Sequence, residues 1–509
     1  MLLANDLKKI AAKTPDKDLM VFRDATISYK EFDEITDRIA ASLLKNGVKR
    51  GDRVAMFLMN CPELVFCYYA CFKCGAVAVP INFRYKGREL AYAVTNCGAR
   101  MLVINDELFQ VYEDARESMK SVEECYVVSD NEAPADVRQF SDLTAEDDHD
   151  VQLPVVDEND QAVILYTSGT TAKPKGVVHT HYSLLHTAVN MAATQYINDR
   201  DISLIPLPVC HIFAFTVAIS TVYVGGTVFL MPGFGVEIVL DVVDKYNPTT
   251  TTLLPFQLGK IVMHERVREC DFSSLKHCFA GGDKVPVEIH RKFQELTGIE
   301  ITEGCGMTEC CPYAINPPLG PKKLGSIGRP AHATRLRLVD DEGKEVPVGE
   351  TGEIIVKSDA VMAGYWNNKE ETTESLRDGW LYTGDLARLD EDGYYWFVCR
   401  KKDVIIRGGS NISPLEVEGA LYEHPAVKEA GVIGSPDENL GETVKAYVSL
   451  KKDITPAPTE DELKKFVDSR LASYKVPERI EFMEALPLTN IGKVDRKALR
   501  ALGSESRNG

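Results

Sequence analysis

Positive charge is scarce in this chain. Its 509 residues carry 58 lysines and arginines against 76 aspartates and glutamates, a net charge of −18. Such a surface repels a phosphate backbone, and no local basic stripe offsets it, so general nucleic-acid binding is excluded. A Walker loop, G-x4-G-K-[ST], is missing throughout, which argues against a phosphotransferase releasing orthophosphate. There is no internal repeat and no low-complexity segment. The N-terminus, Met1 to Lys9, lacks a basic region followed by an apolar run and does not read as a signal peptide. Thirteen cysteines without such a signal fit a reducing cytosol, so a cytoplasmic protein is expected. The hydrophobic fraction of 44% and charged fraction of 26% exclude a disordered chain, a collagen-like repeat and a small disulfide scaffold. The length exceeds what one hydrophobic core supports, and two or more domains are expected.

Two stretches invite other readings. Cys67, Cys71 and Cys74 have the C-x3-C-x2-C spacing of some iron–sulfur sites. They lie in an apolar run ending at Gly75, which reads as a buried helix with a glycine cap. Ile202 to Val236 holds no Asp, Glu, Lys or Arg, long enough to cross a bilayer. Pro206, Pro208, His211 and Gly225-Gly226 interrupt it, so a core helix to about Val224 and a strand from Thr227 to Met231 are expected, with no transmembrane segment. This segment is also a candidate wall for an apolar ligand tunnel.

The first hundred residues alternate helix and strand. Ser28 to Glu31 is a capping box, and Phe32, Ile35, Ile39 and Leu43 follow at helical spacing. Val54–Met59 and Gly75–Pro80 read as buried strands, a βαβ rhythm that predicts a parallel sheet covered by helices. Residues 142–160 hold eight acidic side chains and no Lys or Arg, a solvated connector into the buried strand Ala162–Tyr166. After Lys402 the segments shorten: strands at Val404–Ile406, Val427–Ile433 and Val444–Leu450, helices at Pro414–Tyr422 and Glu460–Leu471. The fold class is α/β, with a large multi-subdomain N-terminal domain, residues 1–400, and a smaller mobile α+β domain, residues 403–509.

Directly after that buried strand come Thr167, Ser168, Gly169, Thr170, Thr171, Ala172, Lys173, Pro174, Lys175 and Gly176. Hydroxyls, glycines and lysines in this order make a phosphate cradle, where backbone N–H groups, hydroxyls and a cation converge on one anion. Tyr166 to Gly176 resembles the signature loop of the adenylate-forming superfamily, which includes acyl-CoA synthetases, peptide-synthetase adenylation domains and luciferases. The resemblance continues in order: Gly304-Cys305-Gly306-Met307-Thr308-Glu309, then Tyr382-Thr383-Gly384-Asp385, then Arg400 to Glu418, then Pro487 to Lys493.

The chemistry explains these residue types. A carboxylate is a poor electrophile; attack on the α-phosphate of ATP gives an acyl-adenylate from which AMP leaves easily. That step gathers negative charge and needs cations and preorganised donors. The resemblance implies that Thr167 to Thr171 and Lys175 hold the β- and γ-phosphates, Thr308 the α-phosphate, and Glu309 the Mg²⁺. It implies ribose contacts from Asp385 and Arg400, a nucleotide-facing segment Gly281-Gly282-Asp283, and His211 near the acyl carboxylate. It further implies a hinge at Lys402, a CoA tunnel along Gly408 and Gly409, and catalysis by Lys493. Three positions depart from the family pattern: Cys305 replaces an aromatic residue that stacks on adenine, Ala172 replaces a glycine, and Cys399 replaces a glycine.

The implied activity is an ATP- and Mg²⁺-dependent carboxylic acid:CoA ligase. CoA is expected as acceptor because the sequence ends soon after Lys493 with no fused carrier domain. The uncharged 202–236 segment points to a medium- or long-chain fatty acid, with an aromatic or alicyclic acid as runner-up. Loading of a separate carrier protein is a further alternative, and so is a non-catalytic adenylate-binding protein, which the presence of Glu309 and Lys493 argues against. The expected partners are a small-molecule carboxylic acid and CoA; the oligomeric state stays open.

Overall fold

Val54 and Met56 face one apolar cluster while their neighbours Ala55 and Phe57 face another. A strand buried on both sides has no polar face to alternate with, which is why Arg53–Phe57 reads as a continuous apolar run. The computed structural model describes residues 2–134, 136–145, 151–167, 173–437, 439–451, 454, 456–489 and 494–505. Among them the chain groups into two compact units, Met1–Leu336 with Val356–Leu381, and Arg337–Ile355 with Tyr382–Gly509.

The first unit holds two sheets. One has eight strands, in the order Gly364–Tyr365, Lys175–Thr180, Gln161–Thr167, Val77–Pro80, Arg53–Phe57, Met101–Asn105, Glu124–Val128 and Arg138–Gln139. Its pairings are parallel from Gln161–Thr167 through Arg138–Gln139, as the βαβ rhythm predicts. The pairings of Lys175–Thr180 are antiparallel, so the sheet is mixed at this end. The other sheet has nine strands, running from Arg329–Pro330 through Ile301–Met307 and Ile202–Ile205 to Ala25–Ser28. One apolar cluster joins residues of both sheets with helices Tyr29–Lys45, Pro62–Cys74 and Ile212–Val224, and it is the main core.

The capping box forms as expected, with Ser28 and Glu31 exchanging side chain-to-backbone bonds. Helix Pro62–Cys74 ends on Gly75 at φ 75°, and its cysteines are buried free thiols. Burial pushes the Cys74 thiol up to about 12, as suits an unreactive core residue. The uncharged segment folds as strand Ile202–Ile205, helix Ile212–Val224 and strand Thr227–Leu230. Among the described residues no helix is long and apolar enough to cross a membrane.

In the second unit, strands Ser410–Ile412, Ile405–Arg407, Gly441–Leu450, Val427–Asp437 and Arg479–Phe482 form a sheet. Helices Pro414–Tyr422 and Glu460–Asp468 pack their apolar residues on it. Residues 337–355 and 382–400 group with this sheet in the second compact unit.

Candidate functional site

Strands Gln161–Thr167 and Lys175–Thr180 pair so that Thr167 lies opposite Lys175. Ser168, Gly169, Thr170, Thr171 and Ala172 lie outside the described residues. Lys175 forms an ion pair with Glu371, and its ammonium sits 5.3 Å from the centre of the Tyr365 ring. Burial lowers its pKa, an effect opposed by the negative charges of Glu309 and Glu374. Gly176 has no room for a side chain: a Cβ would lie 2.8 Å from Ile164 Cγ2 and 3.2 Å from Trp366 Cβ.

Strands Ile301–Met307 and Cys310–Ile315 form a hairpin, with Met307 opposite Cys310. Thr308 and Glu309 are the two residues of its turn, so the motif occupies the tip of a rigid element. The buried Glu309 carboxylate accepts a 2.7 Å hydrogen bond from the Tyr365 hydroxyl. His179, fully buried on the phosphate-loop strand, lies 2.8 Å through Nε2 from the Thr308 carbonyl oxygen. A carbonyl only accepts, so Nε2 carries the proton and Nδ1, 3.2 Å from Ser183 Oγ, is the acceptor. Burial lowers the pKa of His179, which favours this neutral form. On the same hairpin the Cys305 thiol lies 2.9 Å from the Tyr313 hydroxyl.

The segment after strand His277–Ala280 approaches this hairpin. A Cβ on Gly281 would meet Phe213 Cε1 at 3.2 Å and the Gly304 carbonyl oxygen at 3.4 Å. Three expected site segments therefore converge: Gly281-Gly282-Asp283, Gly304 to Glu309, and the turn carrying His211 before helix Ile212–Val224. Gly282 has φ 84°, and the Asp283 carboxylate accepts from the Lys284 N–H at 2.9 Å. Glu303 anchors the segment, accepting from Val285 N at 2.8 Å and lying 2.9 Å from His290 Nε2. Burial and the nearby Arg84 guanidinium push His211 down to about 4, so its imidazole is neutral at pH 7.

In the second unit Asp385 pairs with Arg400 across strands Trp380–Leu389 and Tyr395–Arg400, Nε to Oδ1 at 3.2 Å. Thr383 Oγ1 donates to the Ile354 carbonyl at 2.7 Å, and Glu353 accepts from Gly384 N at 3.0 Å, which shapes the turn before Asp385. Gly408 and Gly409, at φ 54° and 83°, turn the hairpin of Ile405–Arg407 and Ser410–Ile412, a conformation that favours glycine at both positions. Lys402 lies in a single 3₁₀ turn, Lys401–Asp403. Gly492 and Lys493 lie outside the described residues; on either side of them Leu488 and Val494 bridge.

The donor set fits Mg²⁺, a hard cation bound through one or two carboxylates together with substrate phosphates. Glu309 supplies such a carboxylate at a turn, held in orientation by Tyr365. Sequence reasoning missed Tyr365, His179, Glu303 and His290. Tyr365 and His179 reach partners 56 and 129 residues away, while Glu303 and His290 meet across 13 residues from a strand to a helix; Gly364-Tyr365-Trp366, two aromatic residues after a glycine, was a local cue.

The profile of the AMP-binding enzyme family matches residues 7–366, and that of the AMP-binding enzyme C-terminal domain matches residues 416–493. A long-chain-fatty-acid–CoA ligase of Bacillus subtilis is 36% identical, covering 99% of this chain and 95% of its own. A feruloyl-CoA synthase of Amycolatopsis is 37% identical, covering 93% of each. The crystal structure of the anthranilate CoA ligase AuaEII with anthranoyl-AMP superposes with a TM-score of 0.91 at 29% identity, covering 100% of this chain and 98% of that one. With the five motifs in order and both profiles matched, the chain belongs to the AMP-binding enzyme family, and it is an AMP-forming acid–thiol ligase that uses ATP, Mg²⁺ and CoA.

Proposed function

We propose that the acid is a medium- or long-chain fatty acid, activated as its adenylate and passed to CoA. The observation that carries this reading is the uncharged segment Ile202–Val236, which contains His211 and folds as strand, helix and strand. In this reading the acyl carboxylate lies near His211 and the chain meets the uncharged residues around it. An aromatic or alicyclic acid is the second reading, favoured by the near-equal identity of the feruloyl-CoA synthase.

In this reading Thr167 to Thr171 and Lys175 bind the β- and γ-phosphates, Thr308 the α-phosphate, and Asp385 and Arg400 the ribose. Glu309 holds Mg²⁺, which when bound offsets charge on the phosphate oxygens. Gly281 to Asp283 and Cys305 flank the adenine, and neutral His211 orients the acyl carboxylate by hydrogen bonding. Lys493 supplies positive charge to the adenylation transition state. Residues 403–509 move as one body about Lys402 after adenylation, bringing Gly408 and Gly409 to the pantetheine. A cytoplasmic location is consistent with the free cysteines.

The test is a panel of fatty, aromatic and alicyclic acids assayed for pyrophosphate release with and without CoA. The highest kcat/KM for a fatty acid, with acyl-CoA formed, is expected. Aromatic acids turning over best would transfer the assignment to the second reading. Stoichiometric ADP would refute the adenylate route.

A further inference from the structure

Strand Gly364–Tyr365 is two residues long, yet its neighbourhood is pinned on two sides. Ala363 N and Trp366 N donate to the carbonyls of Val178 and Gly176, at 2.8 and 2.7 Å, on the strand that begins at Lys175. Met362 N donates to the Glu309 carbonyl at 2.8 Å. Gly364, at φ 148°, makes the bend, and a Cβ there would lie 2.7 Å from Thr372 Cγ2. Tyr365 N donates to Thr372 Oγ1 at 2.9 Å, and the Trp366 indole donates to the Asn96 carbonyl at 2.9 Å. The Tyr365 side chain is thereby aimed between two groups. Its hydroxyl lies 2.7 Å from Glu309 Oε1, and its ring centre 5.3 Å from the Lys175 ammonium.

We propose that Tyr365 is a positioning residue that couples the phosphate-binding lysine to the metal-binding carboxylate. The inference rests on the assignments of Lys175 and Glu309 made above. The hydroxyl bonds one carboxylate oxygen, Oε1, and so fixes the plane of the group that is to meet a hard cation. The ring quadrupole attracts the Lys175 ammonium, which is ion-paired with Glu371. Because one ring makes both contacts, removing it disturbs both groups at once.

Mg²⁺ is titrated by calorimetry into the full chain saturated with α,β-methylene ATP, which keeps the phosphates but cannot release pyrophosphate. The same nucleotide is titrated separately in EDTA. Tyr365→Phe is expected to weaken Mg²⁺ about tenfold or more, as for other partners that orient a metal ligand, and to change the EDTA affinity less than about twofold. Tyr365→Leu, which removes the ring as well, is expected to weaken the nucleotide in EDTA by about two- to fivefold. Unchanged Mg²⁺ affinity in Tyr365→Phe, with Glu309→Gln losing it, would overturn the coupling and leave the Glu309 assignment standing. Unchanged Mg²⁺ affinity in both variants would overturn that assignment and the proposal with it. Equal EDTA affinities in the Phe and Leu variants would refute the role of the ring.

Discussion

Replacing His179 by phenylalanine keeps a buried ring and removes one hydrogen-bond donor, along with the Nδ1 acceptor 3.2 Å from Ser183 Oγ. That donor, Nε2–H, meets the Thr308 carbonyl at 2.8 Å, and His179 itself is fully buried. Stranding a buried acceptor costs about 1–3 kcal/mol. Thr308 and Glu309 are the turn proposed to meet the α-phosphate and Mg²⁺, so much of this cost falls on the adenylation transition state. If all of it does, adenylation slows by about 5- to 150-fold, at about 1.4 kcal/mol for each factor of ten. The assay is acid-dependent ATP–pyrophosphate exchange, with thioester formation from supplied acyl-adenylate as the control that should change little. His179→Gln places an amide N–H near the position of Nε2 and is expected to recover most of the exchange. Exchange within about twofold of the parent in His179→Phe would refute the reasoning, because the stranded carbonyl would then carry no cost. Equal loss in both half-reactions would assign His179 to the stability of the fold instead.

Lys493→Ala is expected to lose adenylate formation yet still convert supplied acyl-adenylate to acyl-CoA, as read by the same pair of assays; equal loss in both would remove Lys493 from the adenylation step. Gly364→Ala should destabilise the first unit by about 1–3 kcal/mol, since φ 148° and the Thr372 methyl both oppose a side chain, and denaturant unfolding measures this. His181 is held down to about 4 by burial, against 6.5 ordinarily, so the folded state keeps it neutral while the unfolded chain protonates below about pH 6.5. Stability is therefore full above pH 6.5 and falls as pH drops toward 4, by about 3 kcal/mol for this group, and His181→Gln should flatten that part of the curve.

Local patterns were legible because their causes are local. The Ser28–Glu31 box, the Gly75 cap and the helix Pro414–Tyr422 each depend on residues within a turn or two of one another. The buried strands were legible from unbroken apolar runs, since both faces of each sheet are covered. The antiparallel pairing of Lys175–Thr180 was not, because an apolar run carries no information on the direction of its partner strand. Nor was the grouping of residues 337–355 with the C-terminal residues, which follows from contacts between segments distant in sequence.

The order and chemistry of the motifs were determined by the sequence alone: which residue types can meet phosphate and which can meet a hard cation. Residue type is enough for that, because charge, hydroxyl and glycine carry their chemistry wherever they stand. What only the tertiary structure decided is which groups hold those residues in place. Tyr365 reaches Glu309 and Lys175, and His179 reaches Thr308, because an edge strand and a hairpin turn meet in space. A two-residue strand has no period, and a hydrogen bond spanning many tens of residues leaves no local trace, so these positions became visible only once the chain had folded.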